Sequence, residues 1–123
     1  MDNDTCAFCA IAHRRAPAKI VRRWDSVVAI RPRSGGVTAG HLLVIPHQHV
    51  PDVGTDPTVT AAVFAAAAEL AALLPACNVL TSKGRDGTQS VPHLHAHVVP
   101  QNAFDGLLLP WSACPDAELA GAA

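Results

Sequence analysis

Pro92-His93-Leu94-His95-Ala96-His97-Val98-Val99-Pro100 is the stretch whose reading decides the fold. Histidine recurs at every second position, with Leu94, Ala96 and Val98 in the alternate places. On an extended chain successive side chains point to opposite faces. His93, His95 and His97 then share one face, and Leu94, Ala96 and Val98 the other. A helix would spread the same imidazoles around its circumference. The β-branched pair Val98-Val99 and the bracketing prolines also favour a short strand. Strand rise predicts a row of imidazoles roughly 6.5–7 Å apart. Such a row can hold a metal, supply a nucleophile, grip an anion, or divide those tasks.

Working outward from this strand, residues 83–89 form a polar, glycine-containing loop, and Asn78-Val79-Leu80-Thr81-Ser82 is a further strand. Asp56-Pro57 is a helix start, with Asp as the cap and Pro at the first helical position. The helix is predicted over residues 57–74, with Val59, Val63, Ala66, Leu70 and Leu73 or Leu74 as its apolar stripe, and Pro75 ends it. His41-Leu42-Leu43-Val44-Ile45-Pro46 is a continuous apolar run, the pattern of a strand buried on both faces. Lys19-Ile20-Val21-Arg22-Arg23 and Ser26-Val27-Val28-Ala29-Ile30 are two more strands, followed by a turn through Pro32, Ser34, Gly35 and Gly36. Phe8, Ile11 and Ala12 permit a short helix that Pro17 ends. Five short strands, one long helix and a short N-terminal helix imply an α+β fold: a five-stranded antiparallel sheet with the helices on one side.

The length, 123 residues, suits a single domain over 1–123, with a core of about 5–111 and an alanine-rich tail expected to fray. A net charge of −1 supplies no basic excess for a nucleic-acid duplex, although backbone amides and histidines can still hold a small anion. The polar, acidic start is unlike a signal peptide, and no apolar run is long enough to span a bilayer, so the expectation is a cytoplasmic protein away from membranes. In that compartment Cys6-Ala7-Phe8-Cys9 reads as a metal or redox pair rather than a disulfide, and Cys77 and Cys114 as packing thiols.

Three readings compete for the histidine row. Chance exposure explains one histidine better than three in strict alternation. A catalytic metal is chemically sound, since neighbouring imidazoles can share an ion, but Asp86 in the polar loop is the nearest acidic residue. Covalent catalysis is the third, because neutral imidazole is a competent nucleophile toward phosphorus. Residues 84–90 lie just upstream, where backbone N–H groups and the Ser90 hydroxyl can meet phosphate oxygens.

Gln89-Ser90-Val91 followed by the alternating run resembles the signature of the histidine triad (HIT) family of nucleotide hydrolases and transferases. Gly40-His41-Leu42-Leu43-Val44-Ile45-Pro46-His47-Gln48-His49 resembles a second block of that family. Cys6-Ala7-Phe8-Cys9 and Ala16-Pro17-Ala18-Lys19 resemble the N-terminal segments of its zinc-containing members. The resemblance implies a HIT-like fold and a hydrolase or transferase acting on a nucleotide: a purine nucleoside monophosphate derivative such as a nucleoside phosphoramidate or dinucleoside polyphosphate. It implies His95 as the nucleophile, His97 on the phosphate and leaving group, and His41 behind them in an orienting network. Ser82, Thr88, Gln89 and Ser90 would meet the phosphate, the Thr88 and Gln89 groups through their amides. Cys6, Cys9, His49 and His93 would hold a structural Zn2+, with His47 the substitute for His49 and His13 on the surface. A homodimer formed through the long helix and a central strand is implied too. The alternative is a zinc-stabilised nucleotide-binding or interaction module with little turnover.

Departures from the family pattern concentrate at the nucleoside end. Relatives carry an acidic residue for the ribose where this chain has Ile30-Arg31-Pro32-Arg33, and the following turn is one residue longer. Thr88 replaces a glycine, Ser82 falls where asparagine is common, and Gln101 stands where arginine is frequent. Pro92 removes a backbone donor at the start of the predicted strand.

Overall fold

The computed structural model describes residues 3–103 and 105–107. The elements are α1 (Ala7–Ala12), β1 (Ile20–Arg23), β2 (Val27–Ile30), β3 (Leu42–Pro46), α2 (Pro57–Ala71), β4 (Cys77–Leu80) and β5 (Ala96–Pro100). The tail that was expected to fray, together with Cys114, lies outside the described residues. The strands form one antiparallel sheet in the order β1-β2-β3-β5-β4. All five predicted strands are present, each shorter than expected.

Alternation divides the sheet into two apolar faces. Val27, Ala29, Val44, Ala96 and Val98 pack with Leu94 against Val59, Val63, Ala66, Ala67 and Leu70 of α2. Val28, Ile30, Leu43 and Ile45 point the other way and pack with Phe8, Ile11 and Ala12 of α1. β3 is therefore buried on both faces, as its unbroken apolar run predicts. The helices cover opposite faces, not one side as expected. The apolar runs of β2 and β3, buried along their length, are the signal that both faces of the sheet need a cover.

Asp56 caps α2 by accepting the Thr58 and Val59 amides at 3.0 and 3.4 Å, with Pro57 in the first turn. The helix ends at Ala71, three residues before the predicted end. The Leu73 and Leu74 amides bond to carbonyls three residues back, a tightening that precedes Pro75. Leu74 still packs on the core, whereas Leu73 is 77% exposed. α1 likewise stops before Pro17: Arg14 takes a left-handed conformation (φ 64°) after the His13 cap.

β5 begins at Ala96, so only His97 of the three histidines lies on a ladder. The expected strand start at Pro92 is corrected, and with it the lost donor: Pro92 precedes the sheet and interrupts no pairing. His93 lies in a bend, and Leu94 and His95 lead from it into the ladder. The Leu94 amide donates to the Val50 carbonyl at 2.8 Å, and the Thr81 hydroxyl donates to the His95 carbonyl at 2.6 Å. Leu94, Ala96 and Val98 accordingly all enter the α2-side core, and the histidines face the other way.

Candidate active site

The three alternating histidines are held by three different sets of partners. His93 is fully buried, with Nδ1 3.3 Å from Cys6 Sγ, 3.5 Å from Cys9 Sγ and 3.1 Å from His49 Nδ1. Cys9 Sγ is 3.4 Å from His49 Nδ1, and the four donor atoms lie within 4.8 Å of one another. A tetrahedron with metal–sulfur bonds of ~2.3 Å and metal–nitrogen bonds of ~2.0–2.1 Å has edges of roughly 3.3–3.8 Å, which this cluster approaches. The other ring nitrogen of His93 completes the fit. Its Nε2–H donates to the Pro46 carbonyl at 2.9 Å, leaving Nδ1 bare toward the thiols. Two cysteines and two imidazoles filling every corner are consistent with a structural zinc site. Cys6 also caps α1, accepting the Cys9 amide at 3.4 Å, so the Cys-x-x-Cys spacing is set by the first helical turn. His47, the substitute ligand, lies outside the cluster beside His13, with its Nε2 buried and unpartnered among the described residues.

His95 is not part of the cluster. Its Nδ1–H donates to the His93 carbonyl at 2.8 Å, which leaves Nε2 as a bare lone pair. Phe8 stands edge-on to both rings, with centroids 5.0 Å from His95 and 5.9 Å from His93.

His97 is tied to His41, and a single amide proton fixes both tautomers. The Val37 N–H donates to His41 Nδ1 at 3.1 Å, so His41 carries its proton on Nε2. That proton donates to His97 Nδ1 at 3.0 Å, and His97 carries its own proton on Nε2. Burial holds the His93 and His97 imidazoles down at about 4, His97 further so through His95 and His41. Burial also lowers His41 and His95 below the ordinary histidine value. All four rings are neutral near pH 7. Among the described residues His93, His95 and His97 do not form a shared metal group: His93 Nδ1 joins the thiol cluster, His95 Nδ1 bonds the His93 carbonyl and His97 Nδ1 bonds His41.

The loop before the histidines corrects one expectation. The Thr88 amide donates to the Arg85 carbonyl at 2.9 Å and the Gln89 amide to the Gly84 carbonyl at 3.0 Å, so neither is free for phosphate. The Gln89 side chain is also occupied. It accepts the Gly84 amide and donates to the Pro51 and Val91 carbonyls. Thr88 holds φ 66°, left-handed backbone that a β-branched residue rarely adopts. Ser90 is exposed and Ser82 half-buried, and neither hydroxyl has a partner among the described residues. Asn78 donates to Gln101 across the β4–β5 pair.

A cavity of about 410 Å³ opens beside the histidines. Phe8, Ile11, Ile30 and Leu43 give it an apolar lining, His41 borders it, and Lys19, Arg31 and Arg33 supply its charges. No Asp or Glu lines it.

Several contributors were invisible in the sequence. Phe8, Thr81 and the Val37 amide act through contacts that any apolar residue, hydroxyl or backbone group can make. Gly36 had a partial signal in the Gly35-Gly36 pair. It sits at φ +79°, and a Cβ there would lie 2.5 Å from His41 Cβ and Nδ1, so only glycine leaves room for the orienting imidazole.

A family model described as HIT domain matches residues 13–104. An uncharacterized HIT-like protein of Mycobacterium tuberculosis is 33% identical over 114 residues, covering 83% of this chain and 75% of that protein. A Zn-bound histidine triad family protein from Mycobacterium smegmatis has 32% identity and a TM-score of 0.75, covering 96% of this chain and 88% of that one. A HIT family hydrolase from Legionella pneumophila has 25% identity and a TM-score of 0.72, over 80% and 94% of the respective chains.

Proposed function

This chain belongs to the HIT domain family, and on that premise we propose that it is a nucleotide hydrolase or nucleotidyl transferase working through a covalent His95 intermediate. The observation that carries the reading is the His95 tautomer: Nδ1–H is bound to the His93 carbonyl at 2.8 Å, which presents Nε2 as the nucleophile. The substrate is a nucleoside phosphoramidate or a dinucleoside polyphosphate, most simply a purine nucleoside monophosphate derivative. Its base and ribose occupy the apolar cavity beside Phe8.

His95 Nε2 attacks the α-phosphorus as the bond to the leaving group breaks. His97 Nε2–H bonds to the phosphate and orients the departing atom, while His41 holds His97 in that tautomer. Water then breaks the phosphorus–nitrogen bond and releases the nucleoside monophosphate. Across the cycle one water is consumed. Its proton leaves with the departing group and its hydroxyl ends on phosphorus. In a transfer reaction another acceptor takes the place of water. Ser82 and Ser90 offer hydroxyls to the phosphate oxygens, and Thr88 and Gln89 shape the loop that presents Ser90.

Cys6, Cys9, His49 and His93 hold Zn2+. Bound, the ion supplies structural cross-linking and no reactive coordination position. Its effect on the chemistry is indirect, through the His93 backbone whose carbonyl orients His95. The protein acts in the cytoplasm as a homodimer; a Cys-x-x-Cys pair gathered with two imidazoles, rather than joined as a disulfide, suits that compartment. Among the described residues no helix is long and apolar enough to cross a membrane.

Incubation with a labelled adenylyl phosphoramidate followed by denaturation tests this reading. It predicts an acid-labile adenylyl adduct on His95 that is absent from His95→Ala. Undiminished turnover by His95→Ala contradicts it. One observation favours the alternative binding module: the ribose end lacks a carboxylate. Tight nucleotide binding with no product over a long incubation would establish that alternative.

A further inference from the structure

The charges of this chain are unevenly placed. It carries nine Lys and Arg residues against ten Asp and Glu residues, close to balance. Yet Lys19, Arg31 and Arg33 line the cavity beside the histidines, and Arg14, Arg15 and Arg23 line a shallower hollow next to it. The two share Ile11, Pro17 and Ala18 as a common wall, and no carboxylate lines either. Two-thirds of the cations therefore meet on one side of the molecule. Among the described residues Lys19, Arg31 and Arg33 make no ion pair, in contrast to Arg22, which is bound to Glu69 at 2.7 Å.

Unpaired cations at the mouth of an apolar cavity suit an anion carried on the ligand that fills it. Which part of the substrate that is follows from the attack geometry. The attacking and leaving atoms lie roughly in line through phosphorus, so the leaving group departs on the side opposite His95. The cavity lies on the near side: Phe8, which lines it, is in edge contact with His95, and His41, which borders it, is bonded to His97. It holds the retained nucleoside. Lys19, Arg31 and Arg33 line that same cavity, so the anion they meet belongs to the retained nucleoside, whose sugar is the part that can carry one. A carboxylate there would accept bonds from free ribose hydroxyls; guanidinium groups accept nothing and can only donate.

We propose that the preferred substrate is a nucleotide whose ribose carries a second phosphate, at the 2′ or 3′ position, held by Arg31, Arg33 and Lys19. This rests on the nucleotide-site reading above and specifies the substrate class for it. The reaction at phosphorus is unchanged, and its product is a nucleoside bisphosphate.

Calorimetric titration of the zinc-loaded protein with three probes tests it: adenosine 5′-monophosphate, adenosine 2′,5′-bisphosphate and adenosine 3′,5′-bisphosphate. At least one bisphosphate is expected to bind ten-fold or more tightly than the monophosphate, with an advantage that shrinks as salt is raised. In Arg31→Ala/Arg33→Ala the ratio falls toward one, and Arg31→Lys/Arg33→Lys recovers part of it. In Arg22→Ala the ratio is retained. If the monophosphate binds and neither bisphosphate binds more tightly, the ribose-phosphate inference fails while the nucleotide site stands. A ratio that survives the double alanine variant overturns the assignment to these cations. If none of the three binds, the nucleotide-site reading fails with it.

Discussion

At the histidine end of the cavity, His41, His93, His95 and His97 are held through partners 2.8–3.1 Å away, and each ring has one assignable tautomer. At the other end Lys19, Arg31 and Arg33 are exposed on loops and strand margins and unpaired among the described residues. The first region is preorganised: its bonds exist before any ligand arrives, so little reorganisation is left for the reaction. The second gains its partners only when a ligand supplies them. On the proposed mechanism, chemistry depends on buried, neutral groups whose orientation is over-determined, and specificity on exposed charges, whose contributions are individually modest.

The sharpest way to break this contrast is at the nucleophile. His95→Ala should lower turnover by about 10⁴-fold or more, as removal of a covalent nucleophile does, without unfolding the protein. Rates within ten-fold of wild type would remove the distinction between the two ends.

The metal cluster comes next, because it ties α1 and the turn after β3 to the segment carrying His95. Chelation, or Cys9→Ser, should lower the unfolding midpoint by about 10 °C or more, read by circular dichroism. A catalytic ion would behave differently: activity would vanish with the fold unchanged.

Gly36→Ala probes orientation, with added backbone strain from its φ of +79°. The added methyl must displace His41 and with it His97, so kcat should fall by about 10- to 100-fold with little change in KM. At the charged end, Arg31→Ala should do the reverse and raise KM by roughly 3- to 10-fold, with a smaller change in kcat. If the two variants showed the same kinetic signature, the ends would not be separable.

The smallest effect is in pH. His97 is held at about 4 by burial, below the ordinary 6.5. The unfolded chain thus binds the proton more readily between these values. The contribution of neutral His97 to stability is complete above about pH 6.5 and is lost as pH falls toward about 4. Thermal melts of wild type and His97→Gln should diverge near pH 7 and converge near pH 4.5. Parallel curves would mean that His97 titrates normally.

Much of this was legible in the sequence because it rests on periodicity. The alternation of His93, His95 and His97 with Leu94, Ala96 and Val98 assigned two faces, and the structure keeps both even though the ladder begins only at Ala96. Asp56-Pro57 marked a helix start, and the run from Leu42 marked a strand buried on both faces. The Cys6–Cys9 pair was legible by its spacing, but the full metal set was reachable only through resemblance, since that pair, His49 and His93 lie far apart along the chain. What no side-chain pattern carries is the tautomer of each histidine. The His93 and Pro46 carbonyls and the Val37 amide decide those, and every residue has the same backbone groups. The Thr88 and Gln89 amides were misread for the same reason: the loop uses them internally.

The division of labour among the three histidines can be measured without any substrate. Long-range proton–nitrogen correlation spectra of the zinc-loaded protein, with nitrogen-15 in the imidazoles, report which ring nitrogen carries each proton. The structure predicts Nδ1–H for His95, and Nε2–H for both His93 and His97. A His95 protonated on Nε2, or a ring exchanging freely between tautomers, would leave no preset nucleophile and contradict the account.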